Sequence, residues 1–225
     1  MLKLDELRIG DKYSYKDFSA SVRDRKISAP VKKKIKETVP FSNETYDYTS
    51  INGEIYWEER TLEYVLEMDA ETAEQLESKK IDFKTWVMNV EKQELHDPYI
   101  KDYHFVATFD DIEFDDSEFE KTTITVVFTA YPYMLANNKK SHEFQVTTTE
   151  STVEVVNKSS HKITPTFIAS VPVTVTIGNT TYSMGATTVT DEKLALGTGT
   201  NSIKIKTTAT SGTRVLKVEF VEEVF

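Results

Sequence analysis

Cysteine is absent from this chain of 225 residues. Disulfide staples and thiolate metal sites are therefore excluded. A chain that folds without disulfides is compatible with a reducing cytosol. Long hydrophobic runs are missing too: no stretch approaches the length that spans a bilayer. The opening residues, Met1-Leu2-Lys3-Leu4-Asp5-Glu6, carry charges where a signal peptide needs an apolar run. The expectation is a soluble protein made in the cytosol, with no membrane contact. A cationic surplus is also lacking. The formal net charge is -10, and the sequence pI is about 5.0. A specific nucleic-acid partner is not expected, because binding phosphates requires cations that displace counterions.

The motifs of common chemistries are equally scarce. The 4 histidines are His96, His104, His142 and His161, and none is spaced as a zinc-binding pair on a helix. His142-Glu143-Phe144-Gln145-Val146 lacks the second histidine of a metalloprotease motif. Without cysteine, a zinc site would need histidines and carboxylates gathered from distant segments. Read along the sequence, the histidines are isolated. The acidic run Asp110-Asp111-Ile112-Glu113-Phe114-Asp115-Asp116-Ser117-Glu118 fails as a calcium loop. A loop beginning at Asp111 needs glycine where Asp116 stands and glutamate where Thr122 stands. The run reads instead as an exposed strand, with Asp111, Glu113 and Asp115 on one side and Ile112 and Phe114 on the other. Gly197-Thr198-Gly199 is not followed by the Lys-Ser/Thr of a phosphate loop, and no Gly-x-Ser-x-Gly elbow occurs. Carboxylates are plentiful, but nothing singles out a hydrolytic pair. Asn43-Glu44-Thr45, Asn157-Lys158-Ser159 and Asn179-Thr180-Thr181 match the glycosylation sequon and read as chance matches. No catalytic residue, cofactor or metal is assigned, and the chain is not read as an enzyme.

What is present is β-structure. The length allows one large β domain or two modest ones. The second half is rich in β-branched residues, as in Val171-Pro172-Val173-Thr174-Val175-Thr176-Ile177, which suit a pleated surface. Ile177-Gly178-Asn179-Thr180 reads as a hairpin turn, Gly197 to Asn201 as a turn before a strand, and Arg214 to Phe220 as the last strand. Short strands at this spacing suggest a sandwich.

The first half is mixed. Thr61 to Met68 alternates, with Leu62, Tyr64, Leu66 and Met68 on one face. Asp69 is expected to cap a short helix carrying Glu71 and Glu74 in its first turn and Ala73 and Leu76 on its apolar stripe. A second short helix is expected from Asp82, with Phe83, Trp86, Val87 and Val90 facing the core. Strands follow at Tyr103 to Phe109 and Thr122 to Ala130. Tyr131-Pro132-Tyr133 and the polar run Asn137 to Ser141 place a junction near residue 134. The domains expected are 1–133 and 134–225. The fold class is mainly β: β-sandwich domains, the first with one or two short helices.

One cationic stretch stands out in the acidic chain: Arg23, Arg25, Lys26, Lys32, Lys33, Lys34 and Lys36. It reads either as a solvated edge strand or as a charge-complementary protein contact. On a strand, Lys32, Lys34 and Lys36 share one face, and Lys33 and Ile35 the other. The acidic residues Asp111, Glu113 and Asp115 are the natural complement.

The order of segments resembles that of siphophage distal tail proteins. Lys34 to Thr49, with its Val39-Pro40 step and Tyr46-Asp47-Tyr48, is similar to the early region of that family. Tyr56-Trp57-Glu58-Glu59-Arg60-Thr61-Leu62-Glu63-Tyr64 is similar to its arginine-led strand. Asp82 to Val87 followed by Glu94-Leu95-His96-Asp97 is similar to its helix, tryptophan and Leu-x-Asp passage, and Tyr103 to Phe109 fits the strand that follows. The Thr-rich second half is similar to the family's galectin-like C-terminal β-sandwich. Asn43-Glu44 departs from the family's common glycine in the turn after Pro40.

The resemblance implies a structural role without chemistry. Members form a ring, usually a hexamer, at the end of a long non-contractile tail. The N-terminal domains close the ring and the C-terminal domains project outward. The ring joins the tail tube protein to tail-tip or baseplate proteins and the host-adsorption apparatus. The location implied is the virion tail, after synthesis in the host bacterial cytoplasm. Lys32, Lys34, Lys36, Asp111, Glu113 and Asp115 are the candidate ring interface. The alternative is a carbohydrate-binding β-sandwich module. Sugar sites commonly present an exposed aromatic platform, and from Met134 onward the aromatic residues are Phe144, Phe167, Tyr182, Phe220 and Phe225.

Overall fold

A computed structural model describes residues 5–38, 40–41, 43–50, 55–116 and 120–225. The chain divides into two compact units: residues 1–134 with Phe225, and residues 135–224.

The first unit contains strands β1 (Arg8–Ile9), β2 (Lys12–Tyr13) and β3 (Ala20–Ile27), then β4 (Lys36–Thr38), β5 (Thr45–Asp47) and β6 (Arg60–Asp69), and finally β7 (Gln93–His96), β8 (Tyr103–Asp115) and β9 (Lys121–Ala130). Seven of them lie in one sheet in the order β2-β1-β7-β8-β9-β6-β3. The alternation in β6 does what it predicts: Leu62, Tyr64, Leu66 and Met68 are all 0% exposed. Each such side chain contributes about 1.5–3 kcal/mol by leaving water. The long ladder of β6 on β9 runs unbroken from Arg60↔Ala130 to Asp69↔Lys121. The ladder of β8 on β9 shifts register between Phe109 and Asp111. Asp110 is the extra residue of that bulge, and beyond it Asp111, Glu113 and Asp115 are exposed. Ile112 and Phe114 pack against the core.

Two helices cover the sheet, and here the structure corrects the sequence reading. Two short helices were expected around Ala73 and Asp82. There is one helix instead, α2, Ala73–Met88, in addition to the short α1, Ser14–Phe18. Nothing between Glu77 and Asp82 interrupts the helix, since no glycine or proline lies there. The cap is Thr72, not Asp69: the Thr72 hydroxyl accepts from Gln75 N at 3.2 Å, while Asp69 closes β6. α1 escaped notice because five residues carry too little periodicity to register. Ser19 ends it in the left-handed conformation, φ 60.

α1 supplies Phe18, whose ring stacks on Trp86 at 4.7 Å and meets Phe83 edge-on at 5.8 Å. Phe83 is 1% exposed, whereas Trp86 is half-buried at the margin of the core. The expectation that both are core residues holds fully for Phe83 and partly for Trp86.

β10 (Met134–Ala136) starts on the last residue of the first unit, and the second unit continues with β11 (Lys140–Gln145), β12 (Ser151–Asn157), β13 (Thr166–Ala169), β14 (Val173–Ile177), β15 (Thr180–Met184), β16 (Thr188–Thr190), β17 (Gly199–Thr207), β18 (Val215–Phe220) and β19 (Glu223–Val224). Two four-stranded antiparallel sheets, β11-β18-β13-β16 and β12-β17-β14-β15, enclose one core. β14 and β15 form the expected hairpin, with Ile177 paired to Thr180. Gly178 stands at φ +57, a conformation that L side chains rarely adopt. Asn157 is 1% exposed. Its amide donates to the carbonyls of His161, Leu196 and Gly197, and its Oδ1 accepts from Ser159 N. That sequon asparagine is a buried clamp between loops.

Candidate functional site

The sheet of the first unit leaves one segment uncovered. β3 ends at Ile27 and β6 begins at Arg60. Between them the chain runs out and back as a two-limbed arm. At its base, Ser28 N donates to Thr61 O at 3.0 Å, and Ser28 Oγ accepts from Thr61 N at 2.8 Å. Further out, Glu58 N donates to Val31 O at 2.8 Å and Lys33 N to Tyr56 O at 2.9 Å, flanking the bridge Lys32↔Trp57. Beyond that, β4 and β5 pair from Lys36↔Asp47 to Thr38↔Thr45. Val39, Ser42 and 51–54 lie outside the described residues.

The limbs satisfy their backbones against each other, but they bury almost nothing. Every described residue from Val31 to Tyr48 is exposed. The arm holds seven of the fourteen exposed large hydrophobic side chains among the described residues: Val31, Ile35, Phe41, Tyr46, Tyr48, Ile55 and Tyr56. Phe41, at the outer turn, is the most exposed of them and adopts φ 62. A bulky residue is rarely found in that left-handed region. It stands two residues before Asn43-Glu44, where the sequence already departed from a glycine turn.

The structure divides the basic stretch. Arg23 and Arg25 belong to β3, an edge strand, and are answered within the unit. Arg23 clasps Glu67 through two bonds of 2.9 and 3.0 Å. The Arg23 hydrogen bonds, seconded by Lys121, hold the Glu67 carboxyl below its usual range. Lys32 and Lys36 lie on the arm. Lys32 Nζ sits 5.8 Å from the Trp57 ring centroid, and Lys36 reaches Asp47 at 3.5 Å. Thr49 donates to Asp47 and, with Lys36 adding its charge, keeps that carboxyl low. The expected continuous strand from Lys32 to Lys36 is not formed: only Lys36 enters a strand, and Lys32 makes an isolated bridge. No face of the segment is distinguished by burial, because Lys32 to Lys36 are all exposed. Among the described residues no ion pair joins Lys32, Lys34 or Lys36 to Asp111, Glu113 or Asp115. Ser117, Glu118 and Phe119 lie outside the described residues.

Two clusters in the first unit are invisible in a linear reading. The first surrounds Asp97, which is 4% exposed. Its carboxylate takes a short ion pair from Arg25. It also accepts from the Tyr64 hydroxyl at 3.1 Å and from Tyr99 N at 2.8 Å. Burial first, and the Asp97 charge second, push the Tyr64 phenol well above its ordinary value. Arg60 lies over the Phe105 ring at 4.8 Å, and burial lowers its pKa. The cluster ties β3, β6 and the β7–β8 connection, and it is a structural lock.

The second cluster is Glu94, His96 and His104, whose ligand atoms all lie within 4.8 Å of one another. β7 and β8 pair with Glu94↔Val106 and Leu95↔Phe105, and the same register sets His96 opposite His104. The signal was there: His96 and His104 stand symmetrically about the turn beginning Asp97-Pro98. A groove of about 800 Å³ is lined by Phe18, Trp86, Lys12, Asp11, Asp17 and Asp82 among others. It is open and mixed in character. In the sandwich, Phe167 and Phe220 are buried, and Phe144 and Tyr182 pack against the core. None of these four offers an exposed aromatic platform; the fifth, Phe225, is 42% exposed and groups with the first unit, its ring against Trp57 and Tyr133.

No protein-family model and no curated protein matches the chain. Solved structures do. The Dit protein (gp 19.1) of phage SPP1, described as a paradigm of the hub adsorption apparatus in phages infecting Gram-positive bacteria, superposes with a TM-score of 0.74. The alignment covers 99% of this chain and 100% of that one, at 12% sequence identity. The chain has the fold of a phage Dit protein. Chains of the phage P2 baseplate in its activated conformation, with Ca and with Sr, align at 9% identity and a TM-score of 0.45. They cover 96% and 97% of this chain, and 98% of theirs.

Proposed function

We propose that the protein is a structural component of a long non-contractile phage tail tip. It assembles as a ring, a hexamer, that joins the tail tube protein to baseplate or host-adsorption proteins. The observation that carries this reading is the Dit fold, matched over the whole length of both chains. The first unit is the ring-forming domain, and the second, a galectin-like sandwich, faces outward. The role is mechanical and involves no catalysis. The protein resides in the virion tail, after synthesis in the host bacterial cytoplasm.

The arm supports the reading on physical grounds. An isolated two-stranded ribbon is marginal in water, and this one exposes a cluster of large apolar side chains. Such patches mark interaction surfaces. A closed ring needs two different complementary patches on each subunit. The arm is one of them, with Lys32, Lys34 and Lys36 around its apolar residues. The acidic face of β8, Asp111, Glu113 and Asp115, is the candidate complement on the next copy. Opposite charge steers association and register, while buried apolar groups hold the contact.

Negative-stain electron microscopy of the purified protein tests this. Rings of sixfold symmetry are expected. A field of single subunits at concentrations where the protein remains folded would sink the ring.

A further inference from the structure

We propose that Glu94, His96 and His104 form a binding site for a divalent transition-metal ion of the zinc type. The inference goes beyond the ring assembly and does not depend on it.

The donor set is the first argument. Two imidazoles and one carboxylate are borderline ligands that favour zinc and its neighbours over calcium or magnesium, which take oxygen. Geometry is the second. With bonds of about 2.0–2.2 Å, the donors of a tetrahedral zinc site stand about 3.4 Å apart. Glu94 Oε2 lies 3.4 Å from His96 Nε2, and Glu94 Oε1 lies 3.9 Å from His104 Nε2. The imidazole rings are tilted against each other with centroids 5.1 Å apart. The ligand atoms all lie within 4.8 Å of one another, so side-chain rotation has to draw them together to close the set.

Placement is the third argument. All three residues project from one face of paired strands. Successive side chains alternate between faces, so Glu94 and His96 share a side, and the β7–β8 register sets His104 beside them. The site therefore rests on the backbone ladder and not on a loop, which favours a fixed geometry. His104 is 8% exposed, so a bound ion is largely shielded on that side, while exposed Glu94 leaves a way in. Three protein ligands leave the fourth position to water.

Arg8 is the competitor. It pairs with His96 across β1 and β7, and its guanidinium donates to His96 Nε2, the atom a metal would take. Among the described residues its Nε is buried without a hydrogen-bond partner, so the arginine is incompletely held where it stands. Metal binding displaces the guanidinium from the ring. The occupied site would clamp β7 to β8 near the sheet edge.

The test uses the full-length protein stripped with EDTA. It is titrated with Zn²⁺ by calorimetry and with Co²⁺ by visible absorption. One ion per chain is expected, with the strong absorption of four-coordinate Co²⁺. His96→Gln and His104→Gln should each weaken Zn²⁺ binding at least tenfold, and Glu94→Gln about tenfold. The His142→Gln/His161→Gln double variant should bind as wild type does. Arg8→Met should bind about tenfold tighter. Circular dichroism establishes that each variant is folded, and Zn²⁺ should raise the melting temperature of wild type but not of His96→Gln/His104→Gln. Wild type that binds no tighter than a folded His96→Gln/His104→Gln variant overturns the site. Weaker binding in Arg8→Met overturns the competition.

Discussion

Tyr64 and Tyr46 stand in the same unit, both on β-strands, and differ in almost everything else. Tyr64 is 0% exposed on β6 and Tyr46 is 53% exposed on β5. The same contrast holds for Leu62 at 0% against Ile35 at 46%. The arm is no poorer in β-forming residues than the sheet. What it lacks is a second layer. The sheet packs its apolar face into a core shared with α2, whereas the described residues of the arm from Val31 to Tyr48 are all exposed, and it is nearer the base that the Trp57 ring meets Phe225 edge-on at 4.7 Å. Local sequence decides that a segment is extended. Only the long-range fold decides whether it has a neighbour, and the ring proposed above would supply one to the exposed part of the arm.

The contrast makes sharp predictions. In the sheet and its helix, truncation should cost folding stability. Phe83→Ala should destabilise the first unit by about 3–5 kcal/mol in denaturant unfolding, as deep core truncations do. Trp86→Ala should cost less, about 2 kcal/mol, because its ring is half-buried beside Phe18. A larger loss for Trp86 than for Phe83 would break the assignment of core and margin. Asp97→Ala should cost about 2–4 kcal/mol. It strands the buried Tyr64 hydroxyl and removes the partner of an Arg25 that keeps partial access to water. Thr72→Ala should cost about 1 kcal/mol through loss of the helix cap.

In the arm the ordering inverts. Phe41→Ser with Tyr46→Ser should leave monomer stability within about 0.5 kcal/mol. It should weaken assembly roughly 30-fold or more if these side chains are interface anchors. The charge effect is the smallest. Lys32→Glu, Lys34→Glu and Lys36→Glu together should slow assembly, and added salt should slow it in wild type, where exposed charges are screened over about 8–10 Å. If the triple variant assembles like wild type at low salt, those lysines are only a solvated face.

Much of this architecture is readable in the sequence. Alternation in β6 fixed its buried face, because a period of two has one outcome once a core exists. Phe83 and Val87 at helical spacing mark α2, whereas Val90, expected on the same helix, lies just past its end at Met88 and is buried there; the start and the unity of the helix differ from the expectation. Thr72 and Asp69 are both good caps, and only the end of β6 chooses between them. The exposure of Asp111, Glu113 and Asp115 was legible for the same reason as β6. The arm was not legible. Lysines on an edge strand and lysines on a projecting ribbon have the same local pattern. The histidine pair was hidden differently: its meeting depends on a register that the sequence leaves open until the turn after Asp97 is known. The Dit-like order of segments was readable, and the fold comparison agrees with it.

The central claim is that the arm exists to be covered by another copy. The direct test is the mass in solution, by light scattering coupled to size exclusion, of wild type and of a variant lacking the arm. In that variant residues 29–58 are replaced by a short Gly-Ser link, which the pairing of Ser28 with Thr61 permits. The account predicts a sixfold mass for wild type and a folded single chain for the variant. Equal masses for the two proteins would contradict it.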